Sequence, residues 1–363
     1  MRQPLSRPRR VAIGDPQAPF DKFLVILKRH GLLAAGDRLA DDVSLVSIGD
    51  HFDWGGRGER ALAAEDGARL LEWLASHASD QVAIVAGNHD LARVGELVGF
   101  DDAGFAAAQA EADSIYVNGR VVDPDEEDAF KRRWPALPTA ETAARDLAGF
   151  RADQRALVAS LLREGRFMLG LAATDDLLLC HAGVTRDDLG RIDVPPERWR
   201  DAQAVAGALN AALDTAVAGW NAASPLSIPG LHRPGSARDG ECRGILVQRP
   251  AHPDSEAHLC VGPPRRRFDP RGLPAGLTQA IGHIRDKKSR DLLGPWADGA
   301  ASQDGPLRHL RVRGDDVRYT RGLPATQDPD AATLLFLDGG MNFVRDVADY
   351  ELLDLDTRRP LRP

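Results

Sequence analysis

Cysteine is scarce in this chain: Cys180, Cys242 and Cys260 are the only three in 363 residues. An odd count in a chain this long excludes a small disulfide-framed scaffold and favours a reducing compartment. Cys242 and Cys260 could pair, but nothing in the sequence demands it. Long apolar runs are missing too, since no stretch approaches the roughly 18 residues a membrane-spanning helix needs. The opening MRQPLSRPRR is basic, yet no apolar run of signal-peptide length follows it. The expectation is a cytoplasmic protein with no membrane partner. An overall positive balance is also lacking. The formal net charge is -8, which argues against a nucleic-acid partner. Basic clusters at Arg7, Arg9 and Arg10, at 265–267, and at Lys287 with Lys288 read as solvated surface.

What is present is enough apolar sequence, 43%, to bury a substantial core. Short apolar runs recur at 11–13, 45–48, 82–85, 177–180, 245–248, 278–281 and 334–337. Runs this short, apolar on both faces, suit strands buried inside a sheet. Between the early runs lie helical patterns. Asp21 can cap a helix through Leu27. Residues 59–77 carry Leu62, Leu70, Leu71 and Leu74 at helical spacing. The alternation predicts an α/β layered domain. Two segments interrupt it: an Ala-rich helical one at 95–165, with an acidic run at 123–128, and one at 185–240 with a helix at 200–218 and a Pro/Gly-rich loop. Both are read as insertions able to cap a site built on strand ends. The reading is one domain over residues 1–363, with core blocks 11–94, 166–184 and 241–350 and loose tails at 1–9 and 356–363.

The residues after the strands are the informative ones. GDPQ follows 11–13, GDHFDWG follows 45–48, GNHD follows 82–85, HAG follows 177–180 and GHI follows 278–281. In an open α/β sheet, ligands sit beyond the carboxyl ends of strands, so the five loops can converge on one point. The set gathered there is Asp15, Gln17, Asp50, Asp53, Asn88, His89, His181 and His283. Oxygen donors mixed with imidazoles suit manganese, iron or zinc. The donors are too many for one tetrahedral ion, and two divalent ions sharing a carboxylate fit better.

This ordered set resembles the calcineurin-like metallophosphoesterase superfamily, whose blocks are D-x-H, G-D-x-x-D, G-N-H-[DE], a later His before small residues, and a G-H pair. Within it, LCHAGV and FLDGG at 336–340 are similar to the serine/threonine protein phosphatase and diadenosine tetraphosphatase branch. The resemblance implies a layered β-sandwich flanked by helices, and hydrolysis of a phosphate ester or anhydride in a phosphoprotein or nucleotide. It implies that Asp50 bridges two divalent metals. Asp15 and position 17 hold the first, and Asn88, His181 and His283 the second. A metal-bridging hydroxide attacks phosphorus in line. His89 protonates the leaving oxygen, and Asp53 orients His89.

Three departures stand out. Gln17 replaces the family's His; it is an oxygen ligand, a bystander, or the mark of a weakened first metal. Asp53-Trp54-Gly55 replaces D-R-G, so the phosphate-binding arginine must come from elsewhere. Arg57, Arg93, Arg249 (which flanks the 245–248 run, as Arg243 does) and Arg285 are the candidates. Gly282-His283-Ile284-Arg285 lacks the second His of G-H-x-H, in keeping with the phosphatase branch. His51 is expected to face solvent. The competing function is a binding or scaffold protein that keeps the fold without activity; the retained His89, Asp53, Asn88, His181 and His283 argue against it.

Overall fold

A computed structural model describes residues 9–254, 265–326 and 328–361. The apolar runs become strands because aliphatic residues with both faces covered fit the interior of a sheet. In the first sheet, β1 (Arg9–Ile13), β2 (Val43–Ile48), β3 (Val82–Val85) and β4 (Phe167–Met168) run parallel in that order. The second sheet holds β5 (Gly170–Thr174), β6 (Leu177–Cys180), β7 (Thr278–Ile281), β8 (Arg308–Arg313), β9 (Asp316–Arg321) and β10 (Ala332–Phe336), in the spatial order β9-β8-β10-β7-β6-β5. Its central strands β6, β7 and β10 are parallel, with Ala280 opposite both Leu179 and Leu335. The chain then returns to the first sheet: β11 (Leu353–Asp354) pairs antiparallel with β1, and β12 (Arg359–Pro360) with β11.

The two sheets pack face to face, and the strand pleat decides which side chains meet. Ala12, Val46, Ile48 and Val85 of the first sheet join Leu177, Leu179, Ala280 and Leu335 of the second in one buried layer. Val11, Ile13 and Leu45, of opposite parity, join Phe23, Ile26 and Leu27 of α1 (Phe20–Arg29) and Leu70, Leu71 and Leu74 of α2 (Arg60–Ala75). The result is the expected helix-flanked β-sandwich, with β1, β2, β3, β6 and β7 all ending towards one edge.

The segment 95–165 builds α3 (Asp102–Ile115) and α4 (Pro124–Arg133) around a small core of its own, including Phe100, Phe105, Ile115, Phe130 and Leu137, while its α5 (Ala152–Arg163) sends Val158, Leu161 and Leu162 into the main core beside α2. Asp123 caps α4 by accepting from the Asp125 N–H at 2.8 Å. The segment 185–240 supplies α6 (Ala202–Ala218), which lies on β5. After β7 comes α7 (Asp286–Leu293). No helix among the described residues is long and apolar enough to cross a membrane.

Five sequence expectations change. The run 245–248 is not a strand: Ile245–Val247 is a turn between the two-residue strands Arg243–Gly244 and Arg249–Pro250. It is buried all round, which produces the same pattern as a buried strand. The residue capping α1 is Pro19, while Asp21 sits in the first turn and acts on the helix dipole instead. Leu62 is 50% exposed and lies off the packed face of α2. His51 is buried at 1% exposure. The end of the chain is held as far as Leu361: β12 pairs there, and Arg358 donates to Asp176 at 2.9 Å. Arg7 and Cys260 lie outside the described residues.

Candidate functional site

The loops after β1, β2, β3, β6 and β7 meet at that shared edge. Their glycines are there because the backbones come too close for anything larger. A Cβ on Gly87 would lie 2.2 Å from Asp50 Oδ1, and one on Gly282 would lie 1.9 Å from Asp15 Oδ1. Three site residues take the left-handed backbone that L-residues avoid: Asp50, Asp53 and His283, with φ of 53°, 63° and 65°. Such conformations persist where the surroundings over-determine them, typically at functional sites. Asp90, of the GNHD block, ties the loops together: its carboxylate accepts from the N–H groups of Gly87, Asp50 and His51. It also accepts from the His51 ring, whose other nitrogen lies 2.8 Å from Ser47 Oγ. His51 is therefore a brace beneath the site.

Asp50, His181 and His283 present ligand atoms within 4.8 Å of one another and form a group that could hold a metal ion. His181 donates from Nδ1 to the Ile48 carbonyl at 2.8 Å, which leaves Nε2 facing Asp50 Oδ2 at 3.3 Å and Asn88 Oδ1 at 3.2 Å. His283 donates from Nε2 to the Val247 carbonyl at 3.0 Å, leaving Nδ1 as its lone-pair donor. A carbonyl holding the far nitrogen fixes the tautomer and aims the ring, as in metal-binding histidines. Asp15 accepts the His283 N–H at 2.8 Å, and so joins the first strand end to the last. Gln17 donates from Nε2 to the Phe52 carbonyl at 2.7 Å. That bond fixes which end of the amide is spent, and leaves Oε1 as its acceptor. Asp15, Gln17, Asp50, Asn88 and His283 all line one cavity of about 570 Å³.

The charges are arranged for a cation. Burial alone would raise the Asp50 carboxyl, but the rings of His181 and His89 hold it below the usual carboxylate range. Burial opposes the charged form of His181, yet Asp50 lifts it to about 10. Asp15 is pushed well above its ordinary value by burial and by the neighbouring Asp338 carboxylate. Burial, Arg249 and His181 push His283 well below its own. Buried carboxylates that repel one another, beside imidazoles held in a single tautomer, fit divalent metal.

His89 sits on the cavity wall with its ring oriented from behind: Nδ1 donates to Asp53 Oδ2 at 2.8 Å, and Nε2 lies 3.8 Å from Asp50 Oδ2. Burial works against its charge, but Asp50 and Asp53 raise it to about 9.

The arginine candidates divide. Arg57 lies on the surface, 64% exposed in its side chain, paired with Asp113 outside the cavity. Arg93 is fully buried behind Asp53 and cannot face a ligand in the cavity. Arg285 lines the cavity, but its guanidinium is forked on Asp304 and stacked 3.5 Å over the Phe343 ring. Arg249 alone of the four lines the cavity without a hydrogen bond on its Nε among the described residues. Burial and the nearby Arg267 and Arg266 lower it to about 10. Sequence reasoning passed over Asp338 and Arg145, and it read Arg266, Arg267 and Lys288 as solvated surface, yet all five line the cavity. Asp338 had a visible signal, since it follows a strand within FLDGG as Asp15 follows one within GDPQ. Arg145 had none, because it arrives from the 95–165 segment. The 185–240 segment contributes no lining residue.

A family model described as calcineurin-like phosphoesterase matches residues 8–230, more than half of the chain. No curated protein matches. Solved structures similar in fold include a cold-active protein tyrosine phosphatase, 14% identical, with 95% of this chain and 73% of that one covered at a TM-score of 0.38. The cold-active protein-tyrosine phosphatase of a psychrophilic Shewanella is 12% identical over 96% and 75%, at 0.37. A protein serine/threonine phosphatase from Saccharomyces cerevisiae is 12% identical over 92% and 80%, at 0.36.

Proposed function

Because this chain belongs to the calcineurin-like phosphoesterase family, we propose that it is a dinuclear metal-dependent phosphatase acting on a phosphate ester or anhydride, in a phosphoprotein or a nucleotide. The observation that carries this reading is the meeting of five strand-end loops at one edge, with ligand atoms of Asp50, His181 and His283 within 4.8 Å of one another. His181 Nε2, His283 Nδ1, Asn88 Oδ1 and Asp50 would hold one ion; Asp50, Asp15 and Gln17 Oε1 would hold the other. Manganese, iron or zinc suits these donors. When bound, such ions supply Lewis acidity towards the phosphoryl group and acidify a water.

The side chains supply the rest. Arg249 and Lys288 offer positive charge to the phosphate on the cavity wall. His89 carries a proton on Nε2 and gives it to the leaving oxygen as the P–O bond breaks. Water provides the oxygen that enters and the proton that His89 regains, so that an alcohol or phosphate leaves and inorganic phosphate remains. Asp53 holds His89 Nδ1–H at 2.8 Å and keeps the ring aimed after Asp50 is taken up by cations. Cys180 and Cys242 form no disulfide among the described residues, which fits a cytoplasmic setting.

The test is bound-metal analysis of the purified chain, with p-nitrophenyl phosphate turnover in added manganese. Two ions per chain, and turnover lost in Asp50→Asn, are expected. A metal-free, inactive wild type indistinguishable from Asp50→Asn would overturn the reading.

A further inference from the structure

Behind His89 lies a buried network that the ligand set does not use. Arg93 and Gln154 are both 0% exposed. Arg93 Nη1 donates to Asp53 Oδ2 at 2.6 Å and to the His89 carbonyl at 3.0 Å. Its Nε donates to Gln154 Oε1 at 3.1 Å, and its guanidinium lies 4.4 Å over the Phe52 ring. Gln154 belongs to α5 and donates in turn to the Ala64 carbonyl at 2.9 Å and the Gly149 carbonyl at 2.7 Å. The Gly149 N–H closes the circuit on Asp53 Oδ1 at 2.8 Å.

Asp53 thus receives three donors: His89, Arg93 and Gly149. The last belongs to the 95–165 segment, and Arg93 is anchored on that segment through Gln154. Asp53 also holds a φ of 63°, a conformation that relaxes unless it is tied down. A buried ion pair adds little net stability over apolar packing of the same volume, because desolvation offsets the attraction. Fixed geometry is what this pair supplies.

We propose that Arg93 and Gln154 form a clamp that makes the helical insertion part of the general-acid apparatus, pinning Asp53 and through it His89. Both are positioning residues, and the proposal rests on the phosphatase reading above. A misplaced acid harms substrates in proportion to their need for protonation. Phenyl phosphate, with a basic leaving oxygen, needs the proton far more than p-nitrophenyl phosphate does.

The experiment compares kcat/KM for these two substrates in the full-length, metal-loaded wild type, Arg93→Met, Arg93→Lys and Gln154→Met. Arg93→Met is expected to lose about tenfold or more on phenyl phosphate and less than about threefold on p-nitrophenyl phosphate, a fraction of what a positioned general acid contributes. Bound metal should be unchanged. Arg93→Lys, which keeps the charge on Asp53 but not the fork to Gln154, should recover part of the difference. If Arg93→Met does not fold, Gln154→Met should still shift the substrate ratio the same way. Equal losses on both substrates, or none, would overturn the clamp. Proton NMR gives a second reading that needs no turnover. The downfield His89 Nδ1–H resonance, identified by its loss in Asp53→Asn, should broaden or shift in Arg93→Met and in Gln154→Met. An unmoved resonance refutes the clamp even in an inactive protein, whereas an inactive wild type refutes the phosphatase reading alone.

Discussion

The close approach of Gly87 to Asp50 offers the most direct test of how backbone fit shapes the proposed metal site. Gly87 has φ -103° and ψ 176°, extended values that alanine adopts without strain. Gly87→Ala therefore isolates one perturbation, an added methyl. That Cβ would sit 2.2 Å from Asp50 Oδ1 and 2.3 Å from Asp50 N, each more than ~1 Å inside van der Waals contact. Neither neighbour yields easily. Asp50 Oδ1 accepts the His89 N–H at 2.8 Å, and Asp50 N–H donates to the buried Asp90. Overpacking of this kind costs about 1–3 kcal/mol, or a fall of about 1–4 °C in melting midpoint for a chain this size. On the proposed function, displacing the Asp50 carboxylate should also cost about 10–100-fold in metal affinity, as disturbed ligand geometry commonly does. The assay is metal content after dialysis against graded chelator, with thermal melting alongside. Gly207→Ala is the control: Gly207 lies within α6, and an added methyl there would meet nothing within 4 Å among the described residues. That change should stabilise by about 0.5–1 kcal/mol. A Gly87→Ala protein that keeps wild-type metal affinity and melting midpoint would refute the packing argument.

Gln17→Ala should weaken retention of one of the two proposed ions, while Gln17→His retains or strengthens it; equal metal content in wild type and Gln17→Ala would make Gln17 a bystander. Arg249→Ala should raise KM about tenfold, the worth of one charge-assisted contact, whereas Arg57→Ala, on the surface, should change neither kcat nor KM; the reverse pattern would move the phosphate site. Burial would raise the Asp113 carboxyl, but its bonds to Arg60 and Arg57 hold it below its ordinary value. That stabilisation is present above the unfolded value of about 3.9 and is lost as pH falls through the lower folded value. Asp113→Asn should therefore lower the melting midpoint at neutral pH and flatten the acid limb of stability, and an unchanged acid limb would count against the pair.

Much of the candidate site was legible because each proposed ligand follows a strand. Asp15, Asp50, Asn88, His181 and His283 were found by one rule, polar residues beside glycine after short apolar runs, and their loops do converge. Strand ends announce themselves locally. The arginines did not follow any such rule. Arg57 and Arg93 were placed at the phosphate by proximity along the chain, yet one faces solvent and the other is spent on Asp53. Direction is set by packing, and no spacing encodes it. The 245–248 run failed for a related reason: burial on all sides is shared by a central strand and a tucked turn.

By itself the sequence determined the six buried strands β1, β2, β3, β6, β7 and β10, the loops that carry the proposed ligands and the family, because these rest on local periodicity and on the glycines that close approach requires. The tertiary structure decided what lies between those loops. It turned His51 into a buried brace, aimed His181 and His283 by opposite nitrogens through the Ile48 and Val247 carbonyls, and brought Arg145 to the cavity from an insertion with no motif. It also narrowed the question of Gln17. Its amide nitrogen is held on the Phe52 carbonyl, so its oxygen is the atom left to bind. Each of these depends on a partner many residues away in the chain, and such a contact exists only once the two sheets have packed.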